Sequence, residues 1–241
     1  MHTQTLDYQA DGLAMQGHLA FDPAGQGRRP GVLVFPEAFG LGAHAKERAE
    51  RLAGLGYVAL AGDLHGGQYN AQSLDEALGL LQPMRDDPSR IRVRAGAALA
   101  ALLAQPNVDP DRIAAIGYCF GGTMSLELAR GGADLSAVVG FHSGLATKTP
   151  QDARNIKGRV LVCIGADDPS IDAAQRAAFE AEMRGGKVNW QMSLYGGVVH
   201  SFTNKEADRL GQPKFAAYNA QADARSWTEM RAVFDEAFAS N

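Results

Sequence analysis

The chain has 241 residues, 46% hydrophobic and 21% charged, with a formal net charge of −4, and can bury roughly 70–75% of its unfolded surface without disulfides or metals. No Lys/Arg cluster is dense enough to neutralise a run of phosphates and no stretch approaches about 18 consecutive apolar residues, which argues against nucleic-acid and membrane partners. The polar start MHTQTLDYQADG carries no secretory signal and there are only two cysteines, Cys119 and Cys163, so a cytoplasmic location is expected.

In chain order, residues 3–8 and 15–21 flank Asp11-Gly12, a dipeptide suited to a hairpin turn. Residues 31–35, 57–61, 113–117, 137–141 and 160–164 are short apolar runs that read as strands buried on both faces. Residues 189–194 alternate, as a strand nearer the sheet edge does. Helical patterns occupy about 43–54, 73–81, 89–105, 120–131, 171–185 and 224–239. Ser73 offers an N-cap, and Gly54, Gly131-Gly132 and Gly185-Gly186 are expected as left-handed stops. This alternation predicts an α/β fold: a mostly parallel central sheet flanked by helices on both faces, with the antiparallel hairpin at one edge. With no linker-like run, residues 1–241 are expected to form a single domain.

The strand at 113–117 leads into Gly117-Tyr118-Cys119-Phe120-Gly121-Gly122 and then into a helical pattern. Strand, Gly-x-nucleophile-x-Gly, helix is the setting of a nucleophile elbow, and the helix N-terminus favours a thiolate. The competing reading is a buried structural cysteine, and the glycine spacing tells against it. A cysteine nucleophile needs a base and an orienting acid, expected downstream in the order acid, base. Asp168, just past the strand at 160–164, is the choice for the acid and Asp167 the alternative; either could instead cap the helix near Ser170. His200 is the base candidate. His65 and His142 also sit at C-terminal strand ends and are candidate pocket residues, as are the aromatics Phe39, Tyr118, Phe120 and Tyr218. No histidine pair has i, i+4 spacing and no Cys-x-x-Cys occurs, which argues against catalytic zinc; no metal and no cofactor is expected.

With these residues assembled, the chain resembles the dienelactone hydrolase family, the carboxymethylenebutenolidase-like branch of the α/β hydrolases. The resemblance runs from about residue 10 to 237, through Phe35-Pro36-Glu37-Ala38-Phe39-Gly40, Gly56-Tyr57 with Asp63-Leu64, the Cys119 motif, Gly165-x-x-Asp168, and Tyr195-x-x-x-x-His200-x-Phe202. It implies an α/β-hydrolase fold and a Cys119–Asp168–His200 triad that hydrolyses small esters or lactones through an acyl-enzyme. It also implies oxyanion-hole N–H groups at Ala38 and Phe120, and a Glu37 that pairs with the resting thiol and moves when substrate binds. Phe202 and Asn204 join the candidate pocket residues. Asn204 stands where founding members carry an arginine for the substrate carboxylate, so the likeness carries the chemistry rather than dienelactone itself. The expected partner is a small-molecule ester or lactone, and the expected assembly a monomer or homodimer. A thioesterase or acyl-transferring hydrolase would use the same residues; a non-catalytic, redox-sensing α/β protein would leave Asp168 and His200 without roles.

Overall fold

A computed structural model of the chain describes residues 1–239; the last two positions of the expected domain lie outside the described residues. The first elements in the chain are the hairpin strands β1 (His2–Ala10) and β2 (Leu13–Phe21). Its turn residues Asp11 and Gly12 both take positive φ, 52° and 75°, the pairing a two-residue turn needs to follow the twist of its strands.

β3 (Arg29–Phe35), α1 (Ala43–Ala53) and β4 (Val58–Ala61) come next, then α2 (Leu74–Asp86) and α3 (Ser89–Leu103). The rest of the chain runs β5 (Val108–Tyr118), α4 (Phe120–Arg130), β6 (Ala137–Phe141), β7 (Arg159–Gly165), α5 (Ala173–Gly185), β8 (Trp190–Tyr195) and α6 (Ala220–Ala239). The eight strands form one sheet in the order β1-β2-β4-β3-β5-β6-β7-β8. β2 pairs antiparallel with β1 and β4, and every pairing from β4 to β8 is parallel. The mostly parallel sheet with its hairpin at one edge is therefore present, and the alternating 189–194 segment is the opposite edge strand, β8.

Alternation of side chains along the strands divides the core in two. Val32, Val34, Ile116 and Val139 pack with α1 and α6 on one face. Leu33, Phe35, Val138 and Val162 pack with α2, α3, α4 and α5 on the other. Both faces are covered, which is why these strands lack polar alternation. Among the described residues no helix is long and apolar enough to cross a membrane.

Three local expectations need correction. Gly54 and Gly186 are right-handed, at φ −65° and −77°; the left-handed residues fall at Gly56, Gly132 and Lys187, one or two positions later except after α4. α2 runs through Pro83 to Asp86; the proline forfeits one backbone hydrogen bond, and the extra turn buries Met84 completely. α6 starts four residues early because Asn219 Oδ1 accepts the Ala222 N–H at 3.0 Å, the geometry of an N-cap.

Candidate active site

Cys119 joins the end of β5 to α4 with φ 54° and ψ −119°, a backbone that a non-glycine residue keeps only where its surroundings enforce it. Its N–H donates to the Phe141 carbonyl at 3.0 Å and lies 3.2 Å from His142 Nδ1, which ties the turn to β6. A Cβ on Gly117 would run into the Gly121 carbonyl, and one on Gly121 into the Phe35 carbonyl. Glycine is what lets β3, β5 and α4 converge here. α4 begins at the next residue, so its positive end lies at the cysteine.

His200 follows β8 and is held from both sides of its backbone: its N–H donates to the Phe215 carbonyl at 3.1 Å and its carbonyl accepts from Ala217 at 3.2 Å. Its ring stacks on Phe215 at 5.6 Å and meets His142 edge-on at 5.2 Å. His200 Nδ1 is 2.7 Å from Asp168 Oδ2. That contact places a proton on Nδ1 and leaves Nε2 open, and Cys119 lines the same cavity wall. Burial pulls the His200 imidazolium down, but the charge on Cys119 and the Asp168 contact outweigh it, and His200 is pushed up to about 10. The second Asp168 oxygen accepts from the Ser170 N–H at 2.8 Å. Asp167 is exposed, and α5 is capped by Asp172 rather than by either aspartate.

Glu37 lies in the loop after β3. Ser201 Oγ donates to its Oε1 at 3.1 Å, and Asn204 Nδ2 donates to its Oε2. Burial raises the carboxyl above its ordinary range despite those donors and the nearby His200 charge. The hydrogen bonds of Glu37 thus run to Ser201 and Asn204, where a bond to the thiol was expected. The Ala38 carbonyl accepts from His65 Nε2 at 2.9 Å, which pins the peptide next to Glu37. Among the described residues the N–H groups of Ala38 and Phe120 have no acceptor, leaving both available to an incoming oxygen.

Beneath the elbow, His142 is fully buried. Its Nδ1 accepts the Cys119 N–H, so Nε2 donates to Thr203 Oγ1 at 2.9 Å. Burial, then the charges of His200 and His44, hold His142 well below the usual histidine range, which keeps its acceptor in place. Arg48 donates to the Thr203 carbonyl at 2.7 Å and pairs with Asp223 at 2.9 Å. His44 Nδ1 is buried without a hydrogen-bond partner and lies 3.8 Å from Glu37 Oε2.

Cys119, His200, Glu37 and Phe120 share the wall of one cavity of about 760 Å³, within the range of small-molecule sites.

Residues 16–238 match the family model described as Dienelactone hydrolase family. The chain belongs to that family. Among curated dienelactone hydrolase relatives, the carboxymethylenebutenolidase of Pseudomonas sp. (strain P51) is 34% identical over 194 residues, covering 75% of this chain and 79% of the relative. Two solved structures are closer. The protein m3DLH is 48% identical with a TM-score of 0.95, covering 98% of each chain. A dienelactone hydrolase-like promiscuous phosphotriesterase from metagenomic libraries is 47% identical with a TM-score of 0.94, again over 98% of each chain. The fold is the α/β-hydrolase fold of this family, and the chain is a hydrolase acting on esters or lactones.

The cavity takes in some of the expected pocket residues and leaves others out. Phe39, Phe120 and Asn204 line the cavity. Tyr118 does not: it is fully buried on the α1/α6 face, stacked on Phe141 at 4.8 Å. Phe202 is fully buried beside Tyr195 and His142. His65 and His142 are likewise off the cavity wall, one holding the Ala38 carbonyl and the other the Cys119 N–H. Tyr218 donates to Asp223 instead. Sequence reasoning missed Ser201, Thr203, His44 and Phe215, whose roles come from chain segments meeting in space; Ser201 and Thr203 flank His200 closely enough that their hydroxyls were the one available signal.

Proposed function

We propose that this hydrolase works by nucleophilic acyl transfer, with Cys119 as nucleophile, His200 as base and acid, and Asp168 as the orienting carboxylate. The observation that carries the reading is His200, clamped by Asp168 at 2.7 Å, sharing one cavity wall with a cysteine at a strained elbow. The thiolate attacks the carbonyl of the ester or lactone, and the N–H groups of Phe120 and Ala38 take the developing oxyanion, worth about 3 kcal/mol per donor. His200 gives its proton to the departing alcohol. It then removes one from water, which hydrolyses the thioester and restores Cys119. Glu37, with its carboxyl raised by burial and facing the His200 charge, modulates the pair. In this reading the protein is a cytoplasmic monomer or homodimer.

The test is a panel of p-nitrophenyl esters, small lactones and thioesters, run on wild type, Cys119→Ala and His200→Ala. Each variant should lose on the order of 10³-fold or more in kcat, and the double variant little beyond the worse single. Retained turnover in either single variant would overturn the assignment. The 47% identity to a promiscuous phosphotriesterase favours a second substrate class, so a dialkyl p-nitrophenyl phosphate belongs in the same panel. Attack by Cys119 on its neutral phosphorus would need the same residues.

A further inference from the structure

Away from Cys119, much side-chain hydrogen-bonding capacity is already used within the protein along the cavity wall. All three of its amides and its threonine are engaged with the protein itself. Asn204 donates to Glu37 and accepts from the Glu206 N–H. Gln175 accepts from the Leu145 N–H at 2.7 Å and donates to the Ser170 carbonyl at 3.1 Å. Asn70 donates to the Leu41 and Gln68 carbonyls, and Thr123 to the Gly144 carbonyl at 3.0 Å. Arg209 is paired with Glu206 at the surface, and Arg85 is exposed.

Most of the remaining wall is apolar. α2 turns one stripe of its surface to the cavity, Leu74, Leu78 and Leu81, at the i, i+4, i+7 spacing of a single helix face. Leu81 is completely buried, but Leu74 and Leu78 are only half-buried. Ile171, Leu210 and Phe215 line the same space.

We infer that the cavity selects neutral esters carrying a hydrocarbon arm of several carbons, held by apolar contact along α2 rather than by a charge or hydrogen-bond clamp. The inference rests on the Cys119 reading and specifies what that residue attacks. An arm of this kind removes the exposed faces of Leu74 and Leu78 from water. A carboxylate in the same place would lose its hydration and find the amides already engaged.

The test measures kcat/KM for p-nitrophenyl esters from acetate to hexanoate, and for acetate esters of methanol to hexanol, on wild type, Leu78→Gln and Cys119→Ala. In at least one series kcat/KM should rise roughly two- to fourfold per methylene until the cavity is filled. Leu78→Gln keeps a good helix former at a half-buried position and should lower the long-to-short ratio at least threefold. Two flat series with Cys119 dependence intact would overturn this inference alone; activity surviving in Cys119→Ala would overturn the mechanism beneath it. A third arm compares hexanoate with an equally long ester ending in a carboxylate. Preference for the charged ester, abolished by Arg85→Ala, would also overturn the inference.

Discussion

His200 is where single-residue energetics bear most directly on activity. Its imidazolium is opposed by burial and favoured by Cys119 and Asp168, with the balance at about 10. A histidine whose folded value is raised contributes stability that is complete below its unfolded value near 6.5 and is lost as pH rises through the folded one. In the proposed mechanism the same proton serves the leaving alcohol, so turnover should fall along an alkaline limb near that value. Asp168→Asn removes an anionic partner, which lowers the imidazolium's pKa. The alkaline limb of kcat should therefore move to lower pH; a limb that stays in place, read from a pH–rate profile, would detach Asp168 from His200. His142 shows a second use of the same side chain. Burial holds it well below the usual histidine range, and its Nδ1 accepts the Cys119 N–H.

At the scale of elements, the elbow and α2 place opposite demands on glycine. Gly121 fills a gap bounded by the Phe35 and Pro36 carbonyls, whereas a Cβ on Gly79 in α2 would meet nothing within 4 Å. Gly121→Ala should cost about 2–3 kcal/mol through overpacking and abolish turnover. Gly79→Ala should instead stabilise by roughly 0.5–1 kcal/mol, since alanine loses less backbone freedom on folding. Urea midpoints of the two variants check both signs. The same contrast explains what could be read from residues alone. Apolar runs and the Gly117/Gly121 frame are local, so the parallel strands and the position of Cys119 were legible. The start of β5 was not, because Val108 and Asp109 pair with Arg29 and Pro30 across a register shift before Ile113 resumes the ladder. The 215–217 segment that grips His200 was hidden for a related reason: its main pairing is a single bridge between His200 and Ala216. Asn204 lines the cavity, but its hydrogen bond to Glu37 could be found only once the two loops were brought together.

Across the whole molecule, the candidate site draws on five neighbouring strands. Glu37 follows β3, Cys119 β5, His142 β6, Asp168 β7 and His200 β8, and these are consecutive in the sheet. Ligands of open α/β sheets bind beyond the carboxyl ends of the strands for this reason. We propose that the chain is one cooperative domain. Urea unfolding followed by fluorescence and by residual activity should then give coincident transitions, and a separate early loss of one signal would speak for two units.

The two cysteines divide the protein's sulfur chemistry unequally. Cys119 is half-buried on the cavity wall, whereas Cys163 is enclosed in β7, its thiol pushed up by burial. A maleimide dye or affinity resin offered to the folded enzyme therefore meets one handle per molecule, and denaturation uncovers the second. The ratio of label taken up before and after denaturation becomes a direct census of how many molecules in a preparation are correctly folded.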